Sequence, residues 1–367
     1  MSFRLALCFV TALSLASCAS LPPAIPVVAR EAAAAPPISN NRLGQITSWW
    51  GDGRAPTALV NAGFVAIAPG NGGLDVRDFS GANEQRLPAG SLTDIDVAAL
   101  PLMNSYAVVV GGTERSSGRT RIVLFRLDSS DDQPMRRWGE IATDLSDPRG
   151  ICMRQIDPGI SVVAFDRRGE ARHFTVTQGP DGGLVSREIR RFRINRPGTG
   201  CAIVTGENHL YVGHARRGFW RYSLNPQLTG PPRLMGQSGP PVVPRSASVS
   251  VLSTLPHTYL ASLDHDRAAI SLWRIERDDL RWLGRVEVRE GPGGPRVHSL
   301  GSLDAYGGEL EGFPGGVVVL HGRVGTGTPA LKFVDWSAAL NALGIETRPA
   351  IRSVQPHLVL VPAVGDP

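Results

Sequence analysis

Residues 200–226, GCAIVTGENHLYVGHARRGFWRYSLNP, read as three short strands in succession. An apolar strand (Cys201 to Val204) turns at Gly206-Glu207-Asn208, and a second (His209 to Gly213) enters the loop His214 to Gly218. A third strand, Phe219 to Leu224, stops at Asn225-Pro226. The same cadence returns over 58–80, 94–127, 150–176, 248–275 and 299–336, at intervals of roughly 40 to 50 residues. A small sheet repeated at such a period predicts a β-propeller, because one unit alone cannot bury its apolar face. A sandwich would not give one unit six times, and a parallel β-helix repeats about every 20 residues. The expectation is an all-β, six-bladed propeller, with weak outer strands in the Arg-, Asp-, Pro- and Gly-rich linkers between units. One stretch reads as helix, Asp335 to Leu343, with Asp335 placed to cap it and Gly344 to end it.

The N-terminus is of another kind. Residues 1–20 carry a positive Arg4, an apolar run from Leu5 to Leu15, and the tetrad Leu15-Ala16-Ser17-Cys18. The run has the length of a signal-peptide core and is too short to span a bilayer. The tetrad looks like a bacterial lipobox, which makes residues 1–17 a signal peptide and Cys18 the lipidated N-terminus. An ordinary secretory peptide cleaved near Ala19 is the alternative. Acyl chains on Cys18 would anchor the protein without a transmembrane helix. Ala19 in place of an aspartate points to the outer membrane of a Gram-negative envelope, facing the periplasm or the exterior. Residues 18–44 are then the lipidated cysteine and an Ala/Pro-rich flexible linker, holding the domain tens of ångströms from the lipid. The propeller is expected over 45–346, with a C-terminal tail over 347–367.

Composition narrows the partners. Glycine (42) and proline (29) are abundant, as a turn-rich all-β domain requires. The formal net charge is +5, yet Lys332 is the only lysine, so arginine carries the positive charge. Arginine meets phosphate in a bidentate way that lysine cannot. The arginines are scattered and no nucleic-acid recognition motif is present, so nucleic acid is not an expected partner. Of four cysteines, Cys8 leaves with the signal and Cys18 takes the lipid. Cys152 and Cys201 stand at similar points of consecutive repeats, and an exported protein permits a disulfide between them. Two buried free thiols are the alternative.

Several segments resemble the β-propeller phytases, over roughly residues 45–345. Gly72-Gly73-Leu74-Asp75-Val76, with Asp78-Phe79-Ser80-Gly81, looks like that family's "GGL-VYDL-G" strand. Thr93 to Val97 looks like its "NNVDV", Gly112 to Gly118 like its "SNR-S-G" loop, and Pro148 to Met153 like its "YGFCLY". Gly200-Cys201 and Leu210 to Gly213 look like its "EGC" and "LYVGEE", and Leu331 to Trp336 like its closing "FKYVPW". The resemblance implies hydrolysis of inositol phosphates, with calcium ions neutralising the phosphates and activating water. Residue by residue it implies that Asp96 is a metal ligand, that Arg115 binds phosphate, and that Arg167 replaces a phosphate-binding lysine.

Other positions depart from the family pattern. The early "DDPAIW" falls near Arg54 to Leu59 without its aspartates, and the lysine before "GGL" falls near Asn71. Thr199 replaces the glutamate of "EGC", and His214-Ala215-Arg216 replaces an acidic run. The later "DIEGL" and "DGID" lie near Ser248 to Leu252 and Val297 to Leu300, where His298 stands. Calcium needs six to eight oxygen ligands, and an arginine beside a cation repels it by about 4 kcal/mol at ~4 Å in a dielectric of ~20. A calcium complement reduced or absent is therefore expected.

Arg54, Arg115, Arg167, Arg216 and Arg217 could instead converge at the channel mouth and hold a phosphorylated small molecule or polyanion; solvated loop arginines are the alternative. His214 and His298 are possible acids or bases, but no catalytic residue can be assigned. His257, His265 and Asp266 lack zinc spacing, and no nucleophile elbow, P-loop or Rossmann fingerprint appears. Two readings stand: a phosphomonoesterase, and a non-catalytic envelope lipoprotein binding an anion or a protein. The sequence sets no oligomeric state and no orientation of the channel relative to the membrane.

Overall fold

The structure, a computed structural model, describes residues 24–31, 44–50, 63–69, 72–79, 84–116, 119–128, 134–195, 198–204, 207–214, 218–228, 230–236, 246–254, 257–264, 268–277, 279–308, 313–324, 327 and 330–346. The strand β1 (Ile25–Glu31) comes first. Four blades follow as separate four-stranded antiparallel sheets. Blade 1 is β2 (Gln45–Trp49), β3 (Phe64–Ala68), β4 (Leu74–Asp78) and β5 (Glu84–Leu87). Blade 2 is β6 (Ser91–Pro101), β7 (Tyr106–Ser116), β8 (Arg119–Asp128) and β9 (Arg136–Thr143). Blade 3 is β10 (Pro148–Ile156), β11 (Gly159–Asp166), β12 (Glu170–Gln178) and β13 (Leu184–Arg193). Blade 4 is β14 (Gly198–Val204), β15 (His209–His214), β16 (Gly218–Ser223) and β17 (Arg233–Met235). Blade 5 is β18 (Ser246–Thr254), β19 (His257–Asp264), β20 (Ala269–Ile275) and β21 (Leu280–Glu290). Blade 6 has β22 (Val297–Tyr306), β23 (Val317–Val324) and β24 (Ala330–Asp335), and takes β1 as its fourth strand.

The first strand of each blade packs on the first strand of the next, and β22 packs on β2, so six inner strands close a ring. This is a six-bladed β-propeller. The second strand of a blade lies between neighbouring blades and is covered on both faces. That is why β3 (FVAIA) and β11 (GISVVAFD) are buried at every residue and read as unbroken apolar runs rather than alternating ones. An outer strand such as β13 has no blade beyond it, and its residues are exposed or half-buried.

The closure departs from the sequence reading. The linker expected over 18–44 contains β1, and the ring therefore starts at residue 25, not 45. β1 pairs antiparallel with β24 and parallel with β21, joining blades 5 and 6 into one eight-stranded sheet. In IPVVARE, Val27 and Ala29 are buried against blades 5 and 6, and no alternation longer than this marks the strand. Lys332, buried on β24, pairs with Glu290 at the end of β21 across the same junction. His321 is fully buried on β23 and accepts the Gly44 N–H at Nδ1 (3.0 Å), where the chain leads into β2; burial pushes its pKa down to about 4. The first repeat read over 58–80 corresponds to β3 and β4, with β2 as the blade's inner strand. After β24, α1 (Trp336–Ala342) begins at Asp335, whose carboxylate accepts the Ser337 and Ala338 N–H groups. Gly344 follows with φ +72°, a left-handed geometry suited to glycine. The signal segment, Cys18, the rest of the linker and the tail over 347–367 lie outside the described residues.

Candidate functional site

Strand register fixes the two ends of the ring. Ser91, at the start of β6, pairs with Arg115 near the end of β7; Pro148 pairs with Asp166, and Gly198 with His214. Inner strands thus start at the end where second strands turn into third strands, called here the upper end. Arg115, Arg167, His214 and His298 all lie there.

Arg115 and Arg167 meet around one residue, Asp147, which precedes β10. The Arg115 guanidinium lies 3.4 Å from one Asp147 carboxylate oxygen, and Arg149 lies 3.1 Å from the other. The backbone N–H of Arg167 donates to the Asp147 carbonyl at 2.9 Å. The turn carrying Arg167 is fixed from inside: buried Asp166 accepts the Arg168 and Glu170 N–H groups at 2.8 and 3.0 Å and the Ser146 hydroxyl at 3.0 Å. Arg115, Arg149 and Arg167 are exposed. Two cationic side chains thus share one partly exposed carboxylate, with Arg167 held beside it through its backbone, and each guanidinium has five N–H donors. Exposed pairs of this kind stabilise by about 0–1 kcal/mol, so the cluster contributes little to the fold. Arg149 and Asp147 escaped the sequence reading. The stretch Pro148 to Met153 was singled out by its resemblance, but nothing in it marked the arginine.

Arg216 and Arg217 lie outside the described residues, as do Arg54 and Asn71. The turn that would carry Arg216 and Arg217 joins His214 to Gly218, which pair at the upper end. His214 itself is buried, at the position that Asp166 occupies in blade 3 and Asp264 in blade 5.

Asp96 is not beside the arginines. It lies five residues down β6 from Ser91, about 15 Å along the strand, inside the axial channel. All six blades line a cavity of about 40 Å³ there, including Thr47, Asp94, Asp96, Ser248 and Asp304. That volume holds about two or three waters and no sugar phosphate. The carboxylates serve as inter-blade fasteners. Asp94 accepts the Ile151 N–H at 3.0 Å, and Asp96 accepts the Met153 N–H at 2.6 Å, both in blade 3. The other Asp96 oxygen accepts the Val97 N–H at 2.8 Å. Asp304 does the same across the blade 6–blade 1 seam, accepting the Ser48 N–H at 2.6 Å and also the Ser250 hydroxyl at 2.9 Å.

Asp94, Asp96 and Asp304 are half-buried and face the channel from within the ring of inner strands. Burial raises the Asp94 pKa to about 7 despite two backbone donors. Burial raises the Asp96 pKa well above its ordinary value, the Met153 and Val97 N–H groups offset part of this, and the nearby Asp304 and Asp94 charges add to it. Both Asp96 oxygens are thus engaged by backbone. Among the described residues no three His, Cys, Asp or Glu side chains converge in a metal-holding geometry. The donors around Asp96 do not fit a resident calcium ion, which needs six to eight free oxygens. Asp94 and Asp304 were missed by the sequence reading. The period-two Asp94-Ile95-Asp96 was the available signal, since alternate residues share a face.

The next seam uses different chemistry. Cys152 of β10 and Cys201 of β14 form a disulfide, with Cα atoms 6.0 Å apart. Cys152 stands in blade 3 where Asp96 stands in blade 2. The residue two before it is Gly150 rather than a counterpart of Asp94, because a Cβ there would lie 2.1 Å from the Phe165 ring.

Residues 56–237, from just before β3 to just beyond β17, match the protein family described as Phytase. The chain belongs to the β-propeller phytase family. The 3-phytase of Bacillus subtilis (strain 168) is 20% identical over 161 residues, which is 42% of this chain and 42% of that enzyme. The matched stretch thus spans about two fifths of the relative's length. Among solved structures, the Malassezia sympodialis allergen Mala s 1 aligns with a TM-score of 0.48 at 11% identity, covering 74% of this chain and 89% of that one. BBS1N in complex with ARL6DN aligns with a TM-score of 0.45 at 15% identity, covering 80% and 79%.

Proposed function

We propose that this phytase-like propeller is an exported lipoprotein, anchored at Cys18, whose upper end binds a phosphorylated small molecule such as an inositol phosphate through arginine. The observation that carries this reading is the cluster at Asp147, where Arg115, Arg149 and Arg167 present exposed donors on a fixed backbone. Planar guanidiniums pair bidentately with phosphate oxygens and need no bridging metal. Hydrolysis by a calcium cluster is not part of this reading, because Asp96 is engaged by the Met153 and Val97 backbone and lies deep in a cavity too small for substrate.

Family membership favours a second reading, a phosphomonoesterase whose metal site is rebuilt from other side chains. Phosphate release from phytate, with calcium and with chelator, separates the two. The proposal expects no calcium-dependent release, together with a rise in melting temperature on adding phytate in chelator. Calcium-dependent release would overturn it in favour of the enzyme.

A further inference from the structure

The seam between blades 3 and 4 holds cationic side chains away from water without a counterion. Arg154 of β10, Ser161 of β11, His173 of β12 and Arg190 of β13 share the face of blade 3 that packs on blade 4. Register puts them there: Arg154 pairs with Ser161, and His173 pairs with Val163 and Arg190. Val163 and Cys152 belong to the core shared by the two blades, and alternate residues of a strand lie on one face. Both guanidiniums reach across to blade 4 toward the lower end, opposite the end that carries Arg115. Arg154 donates to the Asn208 side-chain oxygen in the turn between β14 and β15, and Arg190 to the Ser223 carbonyl at the end of β16.

Negative charge is missing from these surroundings. Among the described residues no carboxylate pairs with Arg154 or Arg190, and burial lowers the pKa of each. Burial, and after it the Arg190 and Arg154 charges, pushes the His173 pKa down to about 4, so this ring is neutral at neutral pH. A guanidinium does not shed its proton in a protein, so two of them held from water without a counterion are costly. Three nitrogens of the group are buried without a hydrogen-bond partner: Arg154 Nε, Arg190 Nε and His173 Nδ1. His173 Nε2 is engaged by the Ser161 hydroxyl at 2.8 Å. With that hydroxyl assigned as the donor, the ring proton sits on Nδ1 and all three nitrogens are donors. A water would bring them no charge. A tetrahedral oxyanion offers acceptors on every side and two negative charges.

We propose that this seam is an oxyanion site that takes inorganic phosphate or sulfate between Arg154, Arg190 and His173. It is separate from the upper-end arginines and does not depend on what they bind. Arg154 is 7% exposed, whereas Arg190 is half-buried on the outermost strand of the blade, so the anion enters as the Arg190 side chain turns outward. Two positive charges favour a dianion over a carboxylate.

The test is thermal unfolding of the full-length chain at neutral pH in phosphate, sulfate, acetate or chloride at matched ionic strength. Phosphate and sulfate at millimolar concentration should raise the melting temperature by several degrees more than acetate or chloride. Arg190→Gln should remove most of that rise. Because it also removes an uncompensated charge, it should melt no lower than the native chain in chloride. Arg115→Ala/Arg149→Ala should keep most of the rise. A second measurement needs no variant: titrating phosphate into the native protein should shift the nitrogen resonances of the His173 ring, and it decides the matter if Arg190→Gln does not fold. A rise no larger in phosphate than in chloride would overturn the proposal. So would a rise that survives Arg190→Gln and is lost in Arg115→Ala/Arg149→Ala, or a His173 ring that phosphate leaves unperturbed.

Discussion

Strand β10 faces two neighbours and is fastened to them by different chemistry. On the blade 2 side, Asp94 and Asp96 accept the Ile151 and Met153 N–H groups. On the blade 4 side, Cys152 is bonded to Cys201. The two seams occupy corresponding places in the repeat and meet the same need, holding inner strands in register around the axis. An aspartate in the channel is therefore not evidence of a metal site by itself; here it does what a disulfide does one blade later. The exposed chemistry lies elsewhere, in the arginines of the upper end, which contribute little to the fold.

The comparison can be tested from each side, beginning with the largest effect. Replacing both Cys152 and Cys201 by Ala releases a crosslink across 49 residues of sequence, and denaturant unfolding should show a loss of about 2–5 kcal/mol. Asp96→Ala leaves the Met153 N–H without its acceptor, and should cost about 1–3 kcal/mol. Asp96→Asn, which keeps an acceptor oxygen, should cost less. If Asp96→Ala were instead neutral in chelator and destabilising only with calcium, the seam would be a metal site after all.

The seams should also differ in pH dependence. The folded pKa of Asp94, about 7, lies above its ordinary 3.8. The unfolded chain loses its proton first, so the stability this group contributes is lost as pH rises through about 7. Asp94→Asn cannot ionise, and should raise the melting temperature more at pH 8 than at pH 5. The disulfide seam should show no such difference. The smallest effect on stability belongs to the arginines. Arg149→Ala should change unfolding free energy by less than about 1 kcal/mol, yet weaken phytate binding several-fold, read by the phytate-induced shift in melting temperature.

How far the chain was legible follows from the same contrast. The propeller was readable because buried second strands such as β11 are unbroken apolar runs, recurring at blade spacing. The helix was readable from Asp335 and Gly344. β1 was not, since seven residues in an Ala/Pro-rich segment carry no repeat of their own and owe their strand form to β21 and β24. The upper-end position of Arg115 and Arg167 followed from their loops. Asp147, which brings them together, did not, because its partners come from blade 2, from the start of β10 and from the turn after β11. Asp96 was visible, through the resemblance, as a candidate metal ligand, but its engagement by Met153 depends on a neighbouring blade 57 residues away.

The most direct test of the central claim is calorimetric titration of phytate into the lipid-free domain in chelator, for the native chain and for Arg115→Ala/Arg149→Ala. The account predicts calcium-independent binding that falls at least tenfold in the double variant, with its fold unchanged by circular dichroism. Binding that needs calcium, or that survives the double substitution undiminished, would contradict it.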